Sequence, residues 1–359
     1  MARKKKEPKS LLREVNGLAI LIIILSSAGS SSVTPSLFHR ILYSFHVPLF
    51  FLVSGIPLRM HRGSGKEGWI LFFRRMVLAY LIPYFLWALI YSAFSYRHLF
   101  WLLYGSFEAL EKAGSLSLLC ILPAMFIARS IAELVFALSL RYGIEERRGA
   151  LCGAAVCLLI GLILPPAEPL GYPWCLNAAF TGCSFMLAGF ALRVLLEPAA
   201  RKKPAVFGGL VISLLVFCAG TVLRRDQLPL VLMRSGEYGN RFWFLLNAIS
   251  GCACILFLAM VLVRSWNPEV PVILREDEAG INPVTLGTFV IHMPLLNQVV
   301  LPLLAMVPVQ LPKAVLFVIA MVLTRAISSR IIKVLVRFIP QMFGIYPSPG
   351  ILILPPPEQ

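Results

Sequence analysis

Charged side chains are scarce in this sequence, at 14% of all residues, whereas ordinary soluble domains contain about 25%. Hydrophobic residues reach 58%, and the mean hydropathy is +0.82. Both departures are too large for a soluble enzyme with a single hydrophobic anchor. The composition therefore predicts a polytopic membrane protein, with nearly the whole chain in lipid.

Several signatures of soluble enzymes are also missing. The sequence has no Gly-rich phosphate loop, no HExxH helix and no GxSxG turn, which argues against nucleotide-binding, zinc-protease and hydrolase readings. All eight cysteines fall inside apolar runs, and the closest pair, Cys252 and Cys254, is two residues apart. Residues at that spacing face different sides of a helix. We therefore expect no disulfide framework and no metal site, and we interpret the cysteines as small packing residues.

Long apolar runs fill most of the chain. A membrane-spanning helix needs about 20 mainly apolar residues, and this length predicts an all-α transmembrane helix bundle of about ten spans. The predicted spans are 15–31, 37–58, 75–96, 116–140, 150–165, 174–196, 204–223, 242–263, 282–306 and 314–335. They form one membrane domain, 15–336, between a basic N-terminus, 1–14, and a proline-rich tail, 337–359.

Lysine and arginine are distributed unevenly between the two sets of loops. The side that holds the N-terminus carries 23 of them and the other side 8, so the positive-inside rule predicts a cytoplasmic N-terminus. The net charge of +16 is scattered over loops and forms no basic stripe. We therefore expect anionic membrane lipids as partners and no nucleic acid.

One histidine lies deep in an apolar run. His46 stands in FHVPLFFLVSG, residues 45–55, just before a proline and an aromatic run. Ionisable groups are costly in hydrocarbon, so a histidine at that depth usually faces the bundle interior or a wet cavity. Its alternative is a structural role, with the ring bonded to a backbone carbonyl or to Ser54.

Several separated motifs resemble the integral-membrane acyltransferase 3 family. FHVPLFFLVSG is similar to the signature of that family's second helix. Further similarities follow in the family's order, and matches cover the chain from Asn16 to about Leu296. These motifs are NGLAILIIILSS (16–27), LIPYFLW (81–87), LPAMF (122–126), FMLAGFALR (185–193) and TLGTFVIHMPLL (285–296).

The resemblance implies a ten-helix membrane acyltransferase that takes an acyl group, commonly acetyl, from acyl-CoA. The acceptor would be a hydroxyl of a cell-surface glycan or a lipid-linked sugar, and no metal would be needed. A hydroxyl must lose its proton to become a good nucleophile, and histidine titrates close enough to neutrality to accept it. The family's distribution implies a bacterial cytoplasmic (inner) membrane.

Two of the family's functional side chains are replaced in the first helix. Where the family has a basic residue and, ten residues further on, its histidine base, this chain has Asn16 and Ser27. Serine can donate a hydrogen bond but cannot act as a general base near neutral pH. We therefore predict His46 as the base, with Ser27 beside it.

His292 belongs to the last motif, and we predict that it binds or orients the acceptor. The alternative is that it satisfies a carbonyl group freed by Pro294. At 1.5 Å rise per residue, Ser27, His46 and His292 should all lie near mid-bilayer, where three helices could meet.

Arg74 and Arg75 match the family's arginines before the third helix, although here they are adjacent. We predict that Arg74 and Arg75 bind the CoA phosphates and that Asn16 is a third residue of the acyl-CoA site. Positive-inside topology alone would also place arginines there. Elsewhere, Arg129 and Glu133 are four apart and should neutralise each other.

Three functions remain open from the sequence. The first is a working acyltransferase. The second is a catalytically silent relative that binds a glycan, lipid or partner protein, which the replacements at Asn16 and Ser27 favour. The third is a transporter or flippase, in which His46, His292 and Arg325 would line a pathway. The sequence does not indicate the oligomeric state.

Overall fold

The computed structural model describes residues 11–27, 36–58, 65–92, 96–113, 116–223, 230–266, 283–306 and 312–346. Within these ranges the regular structure is helical, apart from one isolated antiparallel bridge between Leu232 and Glu237. The predicted all-α class is confirmed.

Fifteen α-helices are present in the described ranges. In chain order they are α1 (Leu11–Ser27), α2 (Ser36–Tyr43), α3 (His46–Gly55), α4 (Gly65–Met76), α5 (Ile82–Tyr91), α6 (Leu99–Tyr104), α7 (Phe107–Lys112), α8 (Ile121–Arg141), α9 (Glu146–Ile163), α10 (Leu176–Arg201), α11 (Lys203–Val222), α12 (Arg241–Trp266), α13 (Pro283–Leu295), α14 (Leu301–Ala305) and α15 (Lys313–Phe338). Short π-helical segments, Val77–Leu81 and Leu296–Val300, join α4 to α5 and α13 to α14.

The predicted spans coincide with these helices. Eight helical stretches of the described chain are long and apolar enough to cross a membrane, and Glu14–Ser26 is a shorter apolar helix. The remaining predicted span lies in α9, an 18-residue helix that begins with Glu146, Arg147 and Arg148. About ten membrane-crossing helices therefore account for the fold.

The third predicted span is offset. We predicted it over 75–96, but the continuous helix runs from Gly65 to Tyr91. The hydropathy pattern missed the first turns of this helix because polar and apolar residues are mixed in α4. Trp69 and Phe72 nevertheless form an aromatic cluster there, with ring centroids 5.9 Å apart.

The second predicted span is broken in its middle. α2 ends at Tyr43 and α3 begins at His46, and Phe45 between them has the non-helical angles φ −142° and ψ −11°. Pro48 lies in the first turn of α3, where its missing N–H leaves no helical bond unmade. The break is therefore compatible with the sequence, and it places His46 at the start of a half-helix.

Small residues hold α3 tightly against α10. A Cβ atom at Gly189 would lie 2.1 Å from the carbonyl oxygen of Leu52, and one at Gly55 would lie 1.9 Å from that of Met186. Glycine allows membrane helices to approach this closely. α10 therefore fixes the half-helix that carries His46.

The C-terminal turn packs back onto the bundle. After α15, residues Pro340–Phe343 form a short 3₁₀ turn, and the indole N–H of Trp87 donates to the carbonyl of Met342 at 3.0 Å. Phe343 lies against Gly287 of α13. The first residues of the predicted tail are thus part of the packed structure.

Candidate active site

A cavity of about 90 Å³ lies among the ends of several helices. Its lining comes from the C-terminal end of α1, the break between α2 and α3, the starts of α8 and α10, the middle of α13 and the turn before α12. Its polar or ionisable lining side chains are Ser26, Tyr43, His46, Ser117, Cys120, Cys175, Arg234 and His292.

His46 is buried, with 8% of its surface exposed, and lines this cavity. Its Nδ1 lies 3.1 Å from the carbonyl oxygen of Leu42. A carbonyl can only accept, so Nδ1 carries the proton and the neutral ring keeps its lone pair on Nε2. This is the tautomer that a general base requires, although the ring also has the backbone contact expected of a structural histidine.

His292 repeats the arrangement of His46 on another helix. It is 3% exposed and lines the same cavity, and its Nδ1 donates to the Thr288 carbonyl at 2.8 Å. The rings of His46 and His292 therefore face one shared space from two separate helices. The structure therefore brings together the two histidines that the sequence singled out.

Pro294 does not explain His292. Proline at that position leaves the carbonyl of Val290 without its helical donor, and the hydroxyl of Tyr91 donates to this oxygen at 3.1 Å. The alternative role predicted for His292 is thus taken by a tyrosine from α5.

An aromatic stack extends from His46 toward the start of α2. The Tyr43 ring centroid lies 4.5 Å from that of His46 and 4.0 Å from that of His39. Sequence reasoning gave His39 no chemistry and did not consider Tyr43. Tyr43 comes four residues after His39 and three before His46, and residues at these spacings share one face of a continuous helix. This spacing was the available sequence signal.

The first helix reaches the cavity through Ser26. Ser26 is buried and its hydroxyl donates to the Ile23 carbonyl at 2.8 Å. Ser27 is the last residue of α1, but its side chain lies outside the described residues. Asn16 is half-buried and does not line the cavity, and eleven residues of helix separate it from Ser27 by roughly 16 Å.

Arg74 and Arg75 are not part of the cavity wall. They occupy the tenth and eleventh positions of the helix Gly65–Tyr91, and Arg74 is exposed while Arg75 is half-buried. The two arginines therefore lie apart from the residues that line the cavity.

A residue that sequence reasoning missed comes from the turn before α12. Arg234 lies between the bridged residues Leu232 and Glu237 and lines the cavity. Its guanidinium carbon is 3.8 Å from the centroid of the Phe107 ring. No motif marks this loop arginine, and we found no sequence signal that would have identified it.

The other intramembrane charges have local partners. Arg129 donates to the Glu133 carboxylate at 2.9 Å, with both residues buried, which confirms the predicted pair. Arg325 donates to the Ser329 hydroxyl at 2.8 Å and does not line the cavity. The described residues contain no cluster of three or more metal-ligating side chains.

Comparison with known proteins identifies the family. A family model described as an acyltransferase domain matches residues 16–332, which include both histidines and the turn that carries Arg234. No curated protein and no solved structure matches the chain. Because the match covers most of its length, the chain belongs to the acyltransferase 3 family of membrane proteins.

Proposed function

We propose that this protein transfers an acyl group, in the simplest case acetyl, from acyl-CoA to a hydroxyl of a cell-surface glycan or lipid-linked sugar. The observation that carries the proposal is the pair His46 and His292, which line one cavity in the same tautomeric state. Family membership supplies the reaction class. The choice of acyl donor and acceptor is proposed from the cavity and the residues around it.

His46 is the proposed base. Its Nε2 would accept the proton of the acceptor hydroxyl, whose oxygen then attacks the thioester carbonyl. The proton would pass to the departing CoA sulfur as the C–S bond breaks. The backbone bond from Nδ1 to Leu42 holds the ring in the required tautomer throughout.

His292 would position the acceptor. Its free Nε2 can accept a second hydrogen bond from the sugar, and its ring lies edge-on to Phe289, with centroids 5.9 Å apart. A sugar presents several hydroxyls, so two acceptors on separate helices would select which one meets His46. His46 would thus meet the reacting hydroxyl, whereas His292 would bind another part of the acceptor.

The donor would bind along a different part of the bundle. Arg74 and Arg75 lie outside the cavity, and paired guanidinium groups suit the phosphates of CoA. The long pantetheine chain would then carry the thioester to the histidines. Asn16, in the N-terminal half of α1, would donate a hydrogen bond to that chain.

The proposed setting is a bacterial cytoplasmic membrane with a cytoplasmic N-terminus. In that orientation the cavity belongs to the half of the bundle that faces away from the cytoplasm, since it surrounds the C-terminal end of α1. Acyl-CoA would enter from the cytoplasmic half, and acceptor from the opposite half.

A silent relative is the second candidate. It is favoured by the serine at position 27, where the family has its histidine base. In this case the cavity would still bind a glycan or lipid, but His46 would not support turnover. The flippase reading has less support, because Arg325 bonds to Ser329 and lies away from the cavity.

The decisive experiment follows radiolabelled acetyl-CoA in membranes, with CoA release and labelled glycan or lipid as readouts. The variants are His46→Ala, His292→Ala and Ser27→His, with His98→Ala as a matched control outside the cavity wall. Loss of a general base lowers the rate by roughly 10²- to 10⁴-fold. We expect this loss in His46→Ala, a smaller one in His292→Ala, and none in His98→Ala.

Three results would contradict the proposal. No transfer by the native chain, with transfer appearing in Ser27→His, would identify a silenced acyltransferase. Full transfer by His46→Ala would show that this ring is not the base. Substrate flux across the membrane without CoA release would select the flippase.

A further inference from the structure

The cavity wall is unusual in its charge. It contains the Arg234 guanidinium and the two imidazoles of His46 and His292, and none of its lining residues is Asp or Glu. Arg234 forms no ion pair within the parts of the chain that the structure describes. A permanently charged group therefore borders the cavity, with no acidic partner among the residues that the structure describes.

The described residues around Arg234 leave one of its N–H groups without a hydrogen bond. The Nε of Arg234 is buried and has no hydrogen-bond partner among the described residues. The carboxylate of Glu108, in the helix that also carries Phe107, lies against Gly171 instead. The described residues therefore leave part of the hydrogen-bonding capacity of this charged group unused, and a ligand that binds the guanidinium is favoured.

The turn that carries Arg234 is fixed in place. Asn177 of α10 donates its amide N–H to the Arg234 carbonyl at 3.4 Å, and Gly236 takes the positive φ of 80° that the turn requires. Tyr238, just beyond the turn, shares a 2.7 Å hydrogen bond with Thr181 of α10. These contacts draw the turn inward, against the first two turns of α10.

The guanidinium itself is oriented by stacking. It lies 3.8 Å from the Phe107 ring centroid, a contact through which the aromatic ring attracts the cation and restricts its movement. A guanidinium held over an aromatic ring can still donate hydrogen bonds from the N–H groups at its edge. That edge matches the two oxygens of a carboxylate or phosphate, which arginine binds with paired hydrogen bonds.

We infer that the cavity takes an acidic acceptor, in which a carboxylate or phosphate binds Arg234 while a nearby sugar hydroxyl meets His46. The part of the inference that concerns the hydroxyl rests on the proposed function. The part that concerns anion binding by Arg234 is independent of it. A uronic acid and a lipid-linked sugar phosphate offer the same anionic oxygens. A neutral sugar would leave the arginine unpaired.

The test measures binding to the purified full-length protein in detergent. The probes are a glucose disaccharide, the same disaccharide with its terminal glucose oxidised to glucuronic acid, and glucosyl phosphate. Each is titrated against the native chain, Arg234→Gln, Arg234→Lys and the exposed control Arg241→Gln. The melting temperature of each variant is recorded to confirm that it is folded.

We expect both acidic probes to bind the native chain more tightly than the neutral disaccharide does. Arg234→Gln should weaken the acidic probes by roughly 10- to 100-fold and leave the neutral probe unchanged. Arg234→Lys should retain part of the preference, and Arg241→Gln all of it. Preference for the uronic acid over the phosphate, or the reverse, identifies the source of the anion.

Other outcomes separate this inference from the proposed function. If the native chain shows no preference for acidic over neutral probes, including no binding of either, the inference is wrong whether or not the variants fold. Arg234-dependent acidic binding without acyl transfer would retain the inference and overturn the enzymatic proposal. Transfer to an acidic acceptor at an unchanged rate in Arg234→Gln would retain the enzymatic proposal and overturn the inference.

Discussion

The hydroxyl of Tyr91 donates to the carbonyl oxygen of Val290 at 3.1 Å. Pro294, four residues after Val290, has no N–H to offer this oxygen. A side chain from α5 thus replaces a bond that α13 cannot make for itself. The contact ties the helix carrying His292 to a second helix at the level of the cavity.

Tyr91→Phe should lower stability by about 1–2 kcal/mol, because it leaves the Val290 carbonyl without a donor. Thermal unfolding in detergent measures the loss. Pro294→Ala restores a backbone N–H, so the same tyrosine change should cost less in that background. Equal losses in both backgrounds would show that the Tyr91 hydroxyl does not compensate for the proline.

Gly189→Ala should destabilise the bundle by about 1–3 kcal/mol or more, because its Cβ would overlap the Leu52 carbonyl in a packed interface. Gly208 in α11 is the matched control, since a Cβ there meets nothing within 4 Å. Gly208→Ala should be neutral or raise stability by about 0.5–1 kcal/mol. A similar loss in both variants would argue against close packing of α3 on α10.

Arg129→Met should be strongly destabilising, by about 3–5 kcal/mol, because it removes the guanidinium that pairs with the buried Glu133 carboxylate. The double variant Arg129→Met with Glu133→Leu should recover most of this loss, since both desolvated charges are then removed. Heat-induced unfolding compares the three proteins. Additive losses would show that the two residues do not act as a pair.

Tyr43 should act as a positioning residue for His46. Tyr43→Leu removes the ring stacked at 4.5 Å and should lower the turnover number by up to about tenfold, the equivalent of one aromatic contact. Tyr43→Phe keeps the ring and should restore turnover. A loss in Tyr43→Phe equal to that in Tyr43→Leu would assign the effect to the hydroxyl instead.

The sequence predicted the helices because hydrocarbon requires long apolar segments with internally satisfied backbones. It predicted the meeting of His46 and His292 because an ionisable ring in such a segment needs a wet or polar neighbour. It misplaced the start of the third span, since the aromatic cluster around Trp69 and Phe72 stabilises α4 without a long apolar run.

Arg234 shows what a single sequence does not reveal. Its importance comes from a turn folded against Asn177 and a ring contributed by Phe107, and these three residues are far apart in the chain. Hydropathy treats such a loop arginine as surface charge. Only the tertiary arrangement brings it beside the histidines.

The inward-folded turn before α12 has a consequence for how this protein could change over time. His46 stands on a helix whose packing tolerates little substitution, as the contacts of Gly189 and Gly55 show. Arg234 stands in the connection between α11 and α12, and connecting segments vary more in sequence than the helices they join. In our proposals the base and one determinant of acceptor choice lie in separate stretches of the chain, so grafting residues 230–240 from a related protein would test for a new acceptor on an unchanged scaffold.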